Sequence, residues 1–174
     1  MAYDFRKDFP LLQQNKIAYL DNAATAQRPQ CVIDAESSFY RNSNANPLRG
    51  LYSLSVEATE IYENAREAVR DFLNASSTEE IIFTRGTTEG LNLVAYSYGL
   101  HRVKEGDEVL VSIMEHHSNL LPWQMVCRQT GAKLRFIECE PDGSVDLAKV
   151  EPLINDRTKI VAINQVSNVL GRVN

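Results

Sequence analysis

The chain has 174 residues, with 18 Lys and Arg against 23 Asp and Glu, giving a formal net charge of −5 at pH 7. At 44% hydrophobic and 24% charged it carries enough apolar mass for the core of one ordinary domain and no signature of disorder. The acidic balance lacks the basic footprint of a nucleic-acid binder, no apolar run approaches the ~20 residues of a membrane span, and the charged N-terminus lacks a secretory signal's apolar stretch.

The first 20 or so residues are irregular, with Phe5, Phe9, Leu11 and Leu12 scattered among charges. Residues 17–20 form a short apolar run stopped by Asp21 and Asn22, which predicts a brief strand ending in a loop. After Pro29, the apolar positions Val32, Ala35 and Phe39 recur at helical spacing. Residues 42–50 (NSNANPLRG) read as a loop. A longer helix starts near Ser55, a candidate N-cap, and stops near Asn74. Its stripe is Ala58, Ile61, Tyr62, Ala65, Val69 and Phe72, with Glu57, Glu60, Glu63, Arg66 and Arg70 on a solvated face.

From residue 80 strands and helices alternate. The pattern predicts strands over 81–84, 108–112, 134–139 and 159–164. Helices are expected over 88–98, closed by Gly99, over 119–130, with Pro122 in the first turn and Gly131 past the end, and over 146–154, interrupted by Pro152. Residues 141–143 form a turn. Strands rich in Val, Ile and Leu between helices imply βαβ units and a mostly parallel sheet with helices on both faces. Residues 165–174 leave the last strand with no helix to cover the crossover, so the chain reads as a piece of a larger domain.

Ligands of a parallel α/β sheet bind beyond the carboxyl ends of its strands. Those ends are unusually polar: 84–90 (TRGTTEG), 112–119 (SIMEHHSN) and 164–171 (NQVSNVLG). In the first, Thr87 and Thr88 place hydroxyls and amides at a helix N-terminus, where the dipole favours an anion. Read alone, Thr88 also serves as a plain helix cap. The segment is neither a P-loop nor a dinucleotide G-x-G-x-x-G motif. His116 and His117 follow the second strand. Adjacent residues of extended chain point apart and no third ligand has zinc spacing, so an imidazole facing an aromatic ligand, or simple loop packing, accounts for them better than a metal. Asn168 offers a side-chain amide at the third strand end, or serves as a turn former. Arg49 and Arg85 are candidate anion clamps or surface charges. The three cysteines, Cys31, Cys127 and Cys139, make no disulfide framework, suit a reducing cytoplasmic compartment, and are expected to be buried inert thiols. Trp123 reads as core.

Taken in order, 19–25 (YLDNAAT), 48–50 (LRG), 83–92 (FTRGTTEGLN), 114–119 (MEHHSN), Pro122-Trp123 and 166–171 (VSNVLG) resemble the blocks of class-V aminotransferase-like, pyridoxal-phosphate enzymes, in the versions of the SufS/CsdA-type (group II) cysteine desulfurases. The resemblance runs from about Phe5 to Asn174 and corresponds to the N-terminal portion of such an enzyme. It implies an incomplete large domain of pyridoxal-phosphate fold-type I, the aspartate aminotransferase-like architecture. Residues 1–55 would be an N-terminal arm, helix and active-site loop, and 56–174 the start of the cofactor-binding α/β domain. Thr87 and Thr88 would hold the cofactor phosphate, His116 would stack on the pyridine ring, and Asn168 would hydrogen-bond the ring's phenolic oxygen. Ala23, Ala24, Arg49 and His117 would line the substrate side.

The implied reaction moves sulfur from L-cysteine to an enzyme persulfide, leaving alanine, with a sulfur-acceptor protein and a homodimer as the family's usual partners and iron–sulfur cluster assembly as a usual destination. The family's Schiff-base Lys, the Asp at the pyridine nitrogen and the persulfide Cys would lie downstream of Asn174. The six lysines (Lys7, Lys16, Lys104, Lys133, Lys149 and Lys159) match none of that context. The chain by itself is therefore expected to be inactive, and its unpaired sheet edge to promote self-association. Leu48 stands where the pattern usually has His, and Asn164-Gln165 where it usually has Thr-His. Both changes remove an imidazole, which keeps a selenocysteine lyase or an aminotransferase as alternatives, and the abrupt stop after Asn174 keeps a non-catalytic truncated remnant as another.

Overall fold

The computed structural model describes residues 4–174, which group into two compact units, one ending at Ile82 and the other Phe83–Asn174. The first unit is helical: α1 (Pro10–Gln14), α2 (Gln30–Asn42) and α3 (Ser53–Leu73). Pro29 precedes α2 as the spacing predicts, and α3 stops where Asn74 turns left-handed at φ 54°. Its start differs from expectation. Tyr52 is the N-cap, and Ser55 lies fully buried inside the first turn. There the Ser55 hydroxyl donates to the Asn46 carbonyl (2.7 Å) and accepts from the Gly50 N–H (3.0 Å), while Thr59 Oγ1 accepts from the Leu48 N–H (2.9 Å). Two hydroxyls of α3 thus hold the loop that carries Arg49.

Among the described residues, segments 17–20 and 81–84 form no strand, which corrects both expectations. An apolar run becomes a strand only where a neighbour completes its ladder. Arg66 is also less exposed than a solvated face requires: it stacks 5.0 Å from the Tyr62 ring centre and donates to the Ile81 carbonyl. Of the predicted stripe on α3, Ala58 is buried, whereas Ile61 and Phe72 are exposed.

In the second unit, α4 (Thr87–Val94) passes without a break through a π-turn (Ala95–Gly99) into α5 (Leu100–Arg102). Gly99 therefore does not close the helix, contrary to expectation. Ala95 and Gly99 are buried small residues, and a Cβ at Gly99 would meet Val126 Cγ2 at 3.0 Å and Trp123 Cζ3 at 3.6 Å. The glycine serves close helix–helix approach here, where the wider π-turn brings the backbone inward.

Three parallel strands follow, β1 (Glu108–Ser112), β2 (Lys133–Ile137) and β3 (Thr158–Ala162), in the order β2-β1-β3. Between β1 and β2 lies α6 (Leu121–Thr130), ended by Gly131 at φ 78°, and before β3 the short α7 (Leu147–Val150), capped by Asp146. Every residue of β1 is buried. On one sheet face, Val109, Val111 and Ala162 join Ala95, Val103, Trp123, Val126 and Cys127 in one apolar cluster. Period-two alternation sends Leu110, fully buried, to the other face. Burial pushes the Cys127 thiol up, away from thiolate reactivity. Cys139 is half-buried, and Cys31 is exposed, against the expectation of burial. Among the described residues no helix is long and apolar enough to cross a membrane.

At the amino end of β1, the Glu108 carboxylate accepts from Arg135 Nη1 (2.9 Å) and Asn155 Nδ2 (3.1 Å), and the Arg135 guanidinium, then Asn155, hold its carboxyl below the ordinary value. A carboxyl depressed on folding stabilises the fold above its unfolded pKa, and that contribution disappears as pH falls through the lower, folded value. Glu108→Gln is expected to lower the neutral plateau of a stability–pH profile and to flatten its acid limb below roughly pH 4; urea midpoints against pH measure it. Gly99→Leu, which drives a side chain into Val126 and Trp123, is expected to destabilise by about 1–3 kcal/mol in the same assay.

Candidate functional site

The site is built from loops of the second unit. At the start of α4 the N-cap is Gly86, so no side chain covers the helix terminus. The first intrahelical bond runs from the Gly90 N–H to the Gly86 carbonyl (3.1 Å), which leaves the amides of Thr87, Thr88 and Glu89 without an intrahelical acceptor. Glu89 does not occupy that terminus. Its carboxylate folds back onto the Arg85 N–H (2.6 Å) and guanidinium (3.1 Å), which hold its carboxyl below the ordinary value. Arg85 thus pairs with Glu89 while its side chain stays exposed. Thr87 and Thr88 are exposed beside these amides, where the positive end of the helix dipole favours an anion.

The chain leaves β1 into a 3₁₀ turn, His117–Asn119, that precedes α6. His116 caps this turn: its Nδ1 lies 3.1 Å from the Ser118 N–H and 2.9 Å from the Ser118 hydroxyl. The rings of His116 and His117 lie edge to face, 6.1 Å apart at 70°. Thr88, Asn92 and Tyr96 from the first helix, His116, His117 and Ser118 from the turn, and Leu121, Pro122 and Met125 from α6 line one pocket of about 380 Å³. That volume suits a small aromatic ligand. Free amides and hydroxyls at a helix N-terminus are chemically suited to an anionic group, and an imidazole offers a flat face. Among the described residues no group of three or more His, Cys, Asp and Glu is placed to hold a metal ion.

Asn168 stands elsewhere in this unit, exposed in the turn after β3, and it is not part of the pocket lining. That turn is held by Ser167, whose N–H donates to the Arg172 carbonyl (2.9 Å) and whose hydroxyl accepts from the Leu170 N–H (3.2 Å). In the first unit, Ala23 and Ala24 are exposed in a turn closed by the Ala24 N–H on the Asp21 carbonyl (3.2 Å) and by Tyr19 Oη on the Thr25 carbonyl (2.8 Å). Arg49 is exposed in its pinned loop.

One residue escaped the sequence reading. Glu115 directly precedes His116, and its Oε1 accepts from Ser112 Oγ (2.6 Å) and from the Asn164 N–H (2.8 Å). Its Oε2 accepts from Asn119 Nδ2 (2.6 Å), while Asn119 Oδ1 accepts from Trp123 Nε1 (3.0 Å). Asn164, singled out only as a departure from a family pattern, donates its amide to the Met114 carbonyl (3.1 Å). The only sequence signal for Glu115 was its place inside the MEHHSN block, because its partner Asn164 is 49 residues away.

Residues 18–174 match the family model described as aminotransferase class-V. A cysteine desulfurase of Salmonella newport is 51% identical over 173 residues, covering 97% of this chain and 43% of that protein. Among solved structures, the cysteine desulfurase CsdA of Escherichia coli superposes with a TM-score of 0.84 at 41% identity, over 99% of this chain and 44% of that one. The apo cysteine desulfurase of Thermococcus onnurineus NA1 does so with a TM-score of 0.89 at 44% identity, over 97% of this chain and 41% of that one. The chain thus spans less than half the length of the relatives it matches. With nearly its whole length aligned to the family model and a parallel sheet arranged as in these neighbours, the chain belongs to the aminotransferase class-V family.

Proposed function

We propose that this chain is the cofactor-holding N-terminal portion of a pyridoxal-phosphate-dependent cysteine desulfurase. The single observation that carries the reading is that Thr88, on a helix terminus with free amides, and the His116 imidazole line the same pocket. The donor set fits the group. A phosphate takes the amides and hydroxyls of Thr87 and Thr88, as anions do at helix N-termini, and an aromatic ring takes the face of His116. When bound, pyridoxal phosphate supplies the electron sink for bond cleavage at the substrate's α-carbon.

The chain's own residues then have defined tasks. The α4 terminus anchors the phosphate and fixes where the ring can lie. The Ser118 N–H and hydroxyl hold the His116 imidazole through Nδ1, which fixes the ring at the pocket. His117 lines the same pocket on the substrate side. In this reading the phenolic oxygen of the ring is assigned to Asn168, the substrate to Ala23, Ala24 and Arg49, and the division at residue 55 separates the arm and loop from the cofactor domain. L-cysteine is the substrate, a sulfur-acceptor protein the downstream partner, and a cytoplasmic homodimer the working form. None of the residues lining the pocket is Lys. The lysine and the persulfide cysteine of the reaction are assigned outside residues 1–174.

A second reading, a selenocysteine lyase or aminotransferase on the same cofactor, is favoured by two side chains. Leu48, in the Arg49 loop, and Gln165, after Asn164, stand at the two positions where the resemblance expects an imidazole.

Pyridoxal 5′-phosphate is expected to bind this protein at least about tenfold more tightly than pyridoxal, which lacks the phosphate, and Thr88→Val is expected to remove most of that difference. Absorbance titration measures both; equal affinities for the two compounds contradict the phosphate assignment. Supplied with pyridoxal phosphate and L-cysteine, the 174-residue chain is expected to release alanine no faster than free cofactor does. Turnover above that background contradicts the division of labour.

A further inference from the structure

We propose that Glu115 is the positioning residue of this site, locking the His116 turn to the exit of β3 and thereby setting where the imidazole stands. The inference rests on the cofactor reading for what is positioned, and on hydrogen-bond geometry for how. Glu115 closes the His116 turn on itself through Asn119, four residues on (2.6 Å), and ties it across the sheet to the Asn164 N–H (2.8 Å). Ser112, the fully buried last residue of β1, supplies the third donor (2.6 Å).

The polarity of the network is defined at every link. The backbone N–H of Asn164 can only donate, and so can the indole N–H of Trp123. Trp123 is buried, so its donation fixes the amide of Asn119 with Oδ1 toward the indole and Nδ2 toward Glu115. Glu115 therefore faces donors at both of its oxygens, an arrangement that a carboxylate satisfies. Beyond Asn164 the chain is bound further: Asn174 Nδ2 donates to Asn164 Oδ1 (2.8 Å), and the Asn174 N–H donates to the Gln165 carbonyl (2.9 Å). One carboxylate thus couples the loop that bears His116 to the segment that leads to Asn168. An imidazole on an untethered turn would have to be ordered at the moment of binding, at a cost in conformational entropy.

The near-isosteric Glu115→Gln puts an NH₂ against a donor in either amide orientation. The polarity can be restored without restoring the residue. In the double variant Glu115→Gln/Asn119→Asp, the new amide at position 115 would accept from Ser112 and Asn164 and donate to a carboxylate at position 119, which still accepts from Trp123. Asn119→Asp alone sets two carboxylates face to face.

Two readouts test this in the intact protein. Without ligand, amide exchange at Asn164 and the ¹⁵N signals of the His116 ring are expected to change in both single variants, with exchange roughly tenfold faster or more, and to return toward wild type in the double variant. With ligand, pyridoxal 5′-phosphate affinity is expected to fall roughly tenfold in Glu115→Gln and recover in the double variant, while competition by inorganic phosphate, which reads only the Thr88 end, stays unchanged. Unchanged Asn164 exchange in Glu115→Gln overturns the proposal. So does failure of the double variant to recover, or a parallel loss of phosphate and cofactor affinity, since either marks a merely structural or directly reacting carboxylate. Wild-type protein that does not bind pyridoxal phosphate refutes the cofactor reading, and the ligand-free signals then decide the role of Glu115 separately.

Discussion

The carboxylate of Glu115 sits at the place where a buried strand becomes a functional loop, and the geometry of the polar edge follows from that position. β1 is buried from end to end and flanked on both sides by parallel neighbours, so its exit and that of β3 emerge on the same edge of the sheet. Parallel pairing alone would leave those exits as separate loops. A side chain that faces donors at both oxygens joins them. Beneath this network, Trp123 contributes twice: its ring fills the core against Gly99, and its N–H sets the orientation of Asn119.

The helix terminus at Thr87 solves a different problem. Most helix N-termini satisfy their amides with a capping side chain, and the acid at the third position often reaches back to help. Here the N-cap is glycine and the acid, Glu89, is drawn off by Arg85. The result is a helix terminus without a side-chain cap among the described residues, beside a pocket lined by two imidazoles and apolar side chains. That combination of an anion end and an aromatic end makes a phosphate-bearing heterocycle a better match than a simple anion.

Elements that carry their own periodicity were legible in the sequence. The strand at 108–112, the helix after Pro29 and the stops at Asn74 and Gly131 all stand where spacing and turn chemistry put them. What could not be read depended on distant partners. The runs 17–20 and 81–84 have strand composition but no ladder to join, Gly99 looks like a helix stop although its role is close approach to Val126, and the Ser55 hydroxyl serves a loop rather than a cap. The candidate site divides along the same line. Thr88 and His116 were visible as polar residues at element ends, and they share a pocket. Glu115 was not, because its function lies in a bond to a backbone amide 49 residues away.

The most direct measurement is a crystal structure of the protein grown with pyridoxal 5′-phosphate. The account predicts phosphate oxygens at hydrogen-bond distance, ~2.7–3.2 Å, from the amides of Thr87 and Thr88 and the pyridine ring against His116. A cofactor bound with its phosphate away from the α4 terminus, or its ring out of contact with that imidazole, would contradict it.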